Sequence, residues 1–296
     1  MSGLSFVWLE ITGKCQLECA HCYADSGPRG TDGGMTSGDW SSVIEQAAGL
    51  GTRMVQFIGG EPTLNRHLPR LVEHALSRGV EVEVFSNLVH VPPALWDVFE
   101  QLGVRLATSY YADNAEQHEA ITKGRGSHTR TKANIVEALR RSIPLRVGVI
   151  DVEAGQRVDE ARQELAELGV LGEVRVDRLR QVGRGVREQA PNVDQLCGNC
   201  TRGTVAISPN GDVWPCVFSR WLPVGNVRQE ALAEIITGPR MIETTASLAE
   251  SFAGRPSMGP CDPRCGPNCG PACNPQCWPT GTGPCGPKGG CQPNYD

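Results

Sequence analysis

Between residues 4 and 180 short apolar runs alternate with longer segments of helical periodicity, and no other feature restricts the fold as much. "LSFVWLEI" reads as a first strand and "MTSGDWSSVIEQAAGLG" as a helix stopped by glycine. "RMVQFIGG" and "NRHLPRLVEHALSRG" repeat the unit, as do "VEVEVFSN" and "PPALWDVFEQLG", the latter with proline at its start. "VRLATSY" is a fourth strand, followed by a polar connection and the helix "TRTKANIVEALRRS". "PLRVGVID", "RVDEARQELAELG" and "EVRVDRLR" complete the series. Such repetition predicts parallel strands joined by right-handed crossovers, in an open sheet or an incomplete barrel. In either arrangement ligands gather at the carboxyl edge of the strands.

The thirteen cysteines are spread unevenly, with none between Cys22 and Cys197. Cys15, Cys19 and Cys22 come just after the first strand, Cys197, Cys200 and Cys216 follow the last, and seven more crowd the segment from Cys261 to Cys291. The 296 residues are enough for one large domain and a smaller one. A formal net charge of -5 with no basic block excludes a nucleic-acid footprint. The first residues lack a charged n-region and a long apolar core, and no run nears the roughly 20 residues of a membrane span, so no membrane association and a cytoplasmic location are expected. In a reducing compartment, thiols at this density are metal ligands or reactive groups rather than disulfides.

The first cluster, "KCQLECAHCY", lies in the loop after the first strand, with spacing C-x3-C-x2-C. Thiolates at that spacing suit zinc or iron–sulfur. A structural zinc would want a fourth ligand, and His21, inside the motif, is poorly placed for a tetrahedron. A four-iron cubane held by three cysteines leaves one iron open for a substrate or cofactor.

On these residues the chain resembles the radical S-adenosylmethionine (SAM) enzymes, whose opening motif "LEITGKCQLECAHCY" matches. The resemblance implies a partial (β/α)6 TIM-like barrel over residues 1–186. It implies a [4Fe-4S] cluster on Cys15, Cys19 and Cys22, and SAM chelating the open iron. Reductive cleavage then yields a 5′-deoxyadenosyl radical that removes a hydrogen atom from the substrate. "GGEP", Gly59, Gly60, Glu61 and Pro62, resembles the motif that receives the methionyl amino group, with Glu61 as an acceptor for the ammonium. Ser86 and Asn87 resemble the ribose-contacting position. Val149 and Ile150 resemble the strand that packs on adenine, and His21 and Tyr23 flank Cys22 where adenine contacts are expected. Arg180 or Arg184, in "RLRQVGRG", is expected at the SAM carboxylate. "SYYADNAEQHEAITKGRGSHTRTKANI" resembles a stretch common in members with a SPASM or twitch extension.

Residues 187–296 resemble such an extension. Cys200, ten residues, Gly211, four residues and Cys216 match its opening, with "SPNGD" as a hairpin turn that would put the two cysteines on paired strands. A helix is expected after "GNV". The tail departs from the family pattern: "CDPRCGPNCGPACNPQC" takes four C-x3-C steps, each with proline, through Cys261, Cys265, Cys269, Cys273 and Cys277, before Cys285 and Cys291. Proline and glycine deny it helix or central strand, so ligation of one or two auxiliary [4Fe-4S] clusters would have to order it. The alternative is a cysteine-rich tail that scavenges metal.

The substrate class implied is a ribosomally synthesised precursor peptide, with a flavodoxin- or ferredoxin-type reductant and a separate leader-recognition protein as partners, the chain starting at its first strand. A dehydrogenase or decarboxylase of a small sugar or nucleoside is the alternative. A non-catalytic iron–sulfur electron carrier is a third reading, disfavoured by Glu61 and its glycines.

Overall fold

The computed structural model describes residues 3–170 and 174–253. Nine strands form one sheet in the order β6-β5-β4-β3-β2-β1-β7-β8-β9. The first six are β1 Phe6–Glu10, β2 Met54–Ile58, β3 Glu81–Phe85, β4 Val104–Tyr110, β5 Leu145–Asp151 and β6 Arg175–Arg178. Each pairs in parallel with the next, so the chain winds one strand at a time in one direction. That is the winding of an incomplete barrel, with β6 left as an edge.

The crossovers bury one stripe of each helix against the sheet. α1 Ser37–Gly49 turns in Trp40, Val43, Ile44 and Ala47, spaced for one helical face. Its start is fixed by a capping box between Thr36 and Asp39. α2 Leu68–Ser77 and α3 Pro93–Phe99 cover β2, β3 and β4 in the same way, through residues of one continuous core. The polar connection after β4 contains a helix the sequence reading left out, α4 Ala115–Thr122. Asn114 caps it by accepting from the Gln117 N–H at 3.0 Å. α5 Ser127–Arg140 and α6 Val158–Glu167 follow.

β1 is flanked on both sides by parallel partners, β2 and β7 Thr204–Ile207, and all five of its residues are buried. A strand covered on both faces reads as a continuous apolar run. β8 Asp212–Trp214 returns antiparallel to β7 across the turn before Gly211, and β9 Gly225–Asn226 completes the edge. Cys200 and Cys216 flank the β7–β8 hairpin rather than lying on its strands. α7 Leu232–Thr237 and α8 Pro239–Phe252 follow, the first being the helix expected after "GNV". The sheet therefore runs across the division expected near Arg187. A second core, on the concave face, joins Phe6, Trp8 and Met54 to Cys200, Trp214, Cys216 and Leu248. Among the described residues no helix is long and apolar enough to cross a membrane.

Candidate functional site

The loop leaving β1 is fixed from four directions. Lys14 pairs with Asp32 at 2.6 Å, and Thr12 Oγ donates to the same carboxylate at 2.8 Å. The Cys15 N–H donates to Gly27 O at 3.1 Å, closing the loop on itself. From α4, the carbonyls of Thr122 and Ile121 accept from Glu18 and Ala20 at 3.2 and 3.0 Å. Arg184, beyond β6, donates to the Cys19 carbonyl at 3.1 Å and to Asp25 at 2.8 Å.

The turn after β2 lies directly on this loop. A Cβ on Gly59 would stand 2.2 Å from Thr12 O, and one on Gly60 2.1 Å from Lys14 O, distances no side chain tolerates. Glu61 is fully buried. Its Oε1 accepts from Thr63 N–H at 3.0 Å, Thr63 Oγ at 2.8 Å and Ser86 Oγ at 2.8 Å. Its Oε2 accepts from Asn87 N–H at 2.7 Å. Burial pushes its pKa up, and these bonds pull the other way. The carboxylate expected to meet an ammonium is thus turned into the protein, where it fixes the end of β3. Ser86 is spent on the same task, and Pro62 is the buried first residue of a short 3₁₀ turn. Asn87 remains at the cavity. Its amide exchanges bonds with Gln16 at 3.1 and 3.3 Å and donates to Cys15 Sγ at 3.6 Å.

A cavity of about 140 Å³, several times the roughly 30 Å³ share of one water, opens at the carboxyl edge of β1 to β6. Cys15, Cys19, Cys22, Gly59, Gly60 and Asn87 line one side. His21, Tyr23, Ile150, Arg180 and Arg184 also line the cavity. Val149 is not among them: it is fully buried in the core between sheet and helices. Successive residues of a strand point to opposite faces, so Val149 and Ile150 cannot both touch a ligand. Arg180 is 6 % exposed, donates to Asp177 at 3.3 Å and lies 5.2 Å over the Phe218 ring.

The sequence reading missed Phe85, Ser109, Tyr111, His118, Asp177 and Phe218, which also line the cavity. For Phe85, Ser109 and Asp177 the signal was available, since each takes the inward position at the end of its strand. His21 packs edge-on against Tyr111 at 5.0 Å, and Tyr111 against His118 at 5.2 Å. Burial lowers the His21 pKa to about 4, with Arg184 and Arg187 adding to it. That of His118 falls to about 3, again through burial and then His128. Both imidazoles are therefore neutral near pH 7.

The donor set fits an iron–sulfur cluster. Burial, with Glu61 adding to it, pushes the Cys15 thiol up to about 12. Burial and then the neighbouring thiols raise Cys19. Two thiols so raised ionise together only beside a multivalent cationic group. Backbone N–H groups already point at sulfur, Leu17 at Cys15 and Ser26 at Cys22, both at 3.4 Å. Among the described residues no three His, Cys, Asp or Glu side chains converge on a single metal ion. A cluster does not require that, because it spreads its ligands over several irons.

A second group of thiols lies beside this wall. Cys200 and Cys216 are buried, Cys197 is partly buried, and Cys200 Sγ donates to Cys216 Sγ at 3.4 Å. That bond makes Cys216 the easier of the pair to ionise. The two groups meet through aromatic rings, with Phe218 edge-on to Tyr23 at 5.3 Å. Arg220 donates to the buried Glu10 at 2.5 Å and lies 4.4 Å over the Trp214 ring. Cys261, Cys265, Cys269, Cys273, Cys277, Cys285 and Cys291 lie outside the described residues.

An incomplete barrel with three cysteines after its first strand defines a class, and the chain belongs to the radical SAM superfamily, whose family model matches residues 9–168. The SPASM model, an iron–sulfur cluster-binding domain, matches residues 197–270. The chain is thus a radical SAM enzyme that works with a [4Fe-4S] cluster, SAM and auxiliary iron–sulfur. It is 27% identical to the PqqA peptide cyclase of Xanthomonas campestris pv. campestris (strain 8004), across 77% of this chain and 72% of that protein. It is 28% identical to the mycofactocin maturase MftC of Mycobacterium tuberculosis (strain CDC 1551 / Oshkosh), across 63% of this chain and 48% of that one. Among solved structures, SuiB of Streptococcus suis bound to precursor peptide SuiA superposes with a TM-score of 0.68 at 13% identity, over 83% of this chain and 67% of that chain.

Proposed function

We propose that this enzyme modifies a ribosomally synthesised precursor peptide by crosslinking, thioether formation, epimerisation or oxidation. The observation that carries the reading is the likeness to a peptide cyclase over 77% of the chain. Cys15, Cys19 and Cys22 would hold the catalytic cluster. Cys197, Cys200 and Cys216, with cysteines of the tail, would hold one or two auxiliary clusters. When bound, cluster and SAM supply reductive cleavage of the sulfonium and abstraction of a hydrogen atom.

The chain's own residues prepare that chemistry. Gly59 and Gly60 let the β2 turn approach the cysteine loop, leaving backbone there to receive a methionyl group. Asn87, held by Glu61, orients its amide toward Cys15. His21 and Tyr111 offer uncharged ring faces to a purine, with Ile150 beside them. Arg184 holds the cysteine loop to the end of β6, and it or Arg180 would meet the SAM carboxylate. The crowded aromatic wall limits the water that reaches the reacting atoms.

A flavodoxin- or ferredoxin-type protein would deliver the electron. A separate leader-recognition protein would present the peptide. The reducing cytoplasm suits so many thiols.

The test is to reconstitute the protein anaerobically and supply SAM, dithionite and the short peptides encoded beside its gene. Formation of 5′-deoxyadenosine with a mass change in one peptide is expected. Cleavage of SAM with no peptide altered, and a sugar or nucleoside oxidised instead, would replace the peptide reading with the small-molecule one. A protein that makes no 5′-deoxyadenosine under any condition would remove the site assignment itself.

A further inference from the structure

Three cations crowd the turn between α4 and α5 and the start of α5. Lys123, Arg125 and Arg130 are exposed, and none meets a carboxylate among the described residues. Most lysines and arginines of this part of the fold are paired, Lys132, Arg140, Arg141 and Arg157 among them. The chain as a whole carries a net charge of -5, so composition does not account for the patch. The charges are also held in place. Arg130 donates to the carbonyls of Gly126 at 3.0 Å and Arg125 at 2.6 Å. Lys123 sits at φ +56°, a left-handed position where glycine or asparagine would be easier.

The patch rims a hollow of about 450 Å³ whose other walls are Gln16, Leu17, Val89 and His90. The floor of this hollow is the back of the cysteine loop. Leu17 packs with Cys15, Cys19 and Val89 in one small apolar cluster. The Leu17 N–H donates to Cys15 Sγ at 3.4 Å. Gln16 pairs with Asn87, which donates to the same sulfur. A body seated in the hollow is therefore one side chain from Cys15. It does not enter the substrate cavity, because the two hollows share only Leu17.

We propose that Lys123, Arg125 and Arg130 form the docking surface for an acidic protein that delivers single electrons through Gln16 and Leu17 to the Cys15 side of the cluster. The inference rests on the proposed function, since only an enzyme that consumes electrons here needs such a partner. In the transfer the carrier is oxidised by one electron and the cluster is reduced by one. No covalent bond changes and no proton has to move. Opposite charge steers the encounter, and the short path then sets the rate. A substrate peptide fits this surface less well, because the hollow lies behind the cluster, away from the cavity.

The test compares the holoenzyme with the triple variant Lys123→Glu, Arg125→Glu, Arg130→Glu. A control carries Arg66→Glu, Arg70→Glu and Arg240→Glu at exposed sites elsewhere. Each is mixed anaerobically with bacterial flavodoxin hydroquinone, and bleaching of the cluster is followed by stopped flow at low and high salt. Dithionite serves as a small reductant that needs no docking. The expected result is reduction by flavodoxin slowed at least tenfold at low salt in the triple variant only, with the salt dependence lost. Reduction and SAM cleavage driven by dithionite stay at wild-type levels. Equal flavodoxin rates in wild type and triple variant, an equal loss in the control, or a wild-type rate indifferent to salt would overturn the proposal. If dithionite reduction also falls, the neutral variant Lys123→Gln, Arg125→Gln, Arg130→Gln decides by the same comparison. Loss of docking with dithionite-driven cleavage intact leaves the functional reading standing; loss of cleavage in the wild type removes both.

Discussion

Glu61 shows that a residue can serve a site without facing it. Its carboxylate satisfies four donors in a dry pocket and holds Asn87 beside Cys15. Replacing it with alanine strands those donors, so Glu61→Ala is expected to lower stability by about 3 kcal/mol, and Glu61→Gln by less. Urea unfolding measures this, and unchanged midpoints would contradict the network. SAM affinity should fall in parallel, because Asn87 loses its anchor. His118 makes a second prediction at this scale. It is 1 % exposed, and its pKa is lowered to about 3, while in the unfolded chain it titrates near 6.5. Below pH 6.5 the unfolded chain takes up a proton that the folded one refuses. Stability is therefore constant above about pH 7 and falls as pH drops from 6.5 toward 3, by about 2 kcal/mol at pH 5 from this residue. His118→Asn should flatten the profile between pH 7 and 5, and an unchanged slope would assign it to other groups.

At the scale of elements, the β2 turn and the loop after β1 act as one piece. A Cβ on Gly60 would stand 2.1 Å from Lys14 O, so Gly60→Ala must push the cysteine loop away to relieve that overlap. We expect the reconstituted variant to lose iron from the SAM-binding cluster, read as iron per chain, while its far-UV spectrum stays near wild type. Full iron content would show that the loop has room to move. The six strands were legible because each is a short apolar run bounded by turn residues, and their ends fell within a residue or two of the structure. α4 was not, because "AEQHEAIT" is short and polar, and its helicity rests on the Asn114 cap and on contact with the cysteine loop. Its histidine was lost with it. Val149 was misplaced by treating two neighbours on a strand as one surface, although the two-residue period separates them. The roles of Glu61, Ser86 and Arg184 depend on which way a side chain turns, and a motif does not record that.

For the whole molecule, the division near Arg187 was drawn from cysteine spacing, but hydrogen bonding does not follow it. β7 closes the second edge of β1, a strand buried at every residue. A fragment ending at residue 186 would expose "FVWLE" as an apolar edge, ready to pair with other chains. Such a fragment is expected to aggregate and to bind SAM poorly even with its three cysteines present. Light scattering and equilibrium dialysis would test this, and a monodisperse, SAM-binding fragment would show that the first 186 residues fold alone. The same sheet explains why the two thiol groups lie so near each other: the hairpin after Cys200 is built on the strand that precedes Cys15.

The pairing of β1 with β7 also sets an order of events on the ribosome. Ser5 and Gly203 are hydrogen-bonded across 198 positions of sequence. At translation rates of about 5–20 residues per second, the first strand waits roughly 10–40 s for its neighbour to emerge. During that interval Cys15, Cys19 and Cys22 are synthesised and accessible while the wall bearing Phe218 does not yet exist. The nascent chain thus offers its first thiols to the cell's cluster-assembly machinery before the wall beside them is built.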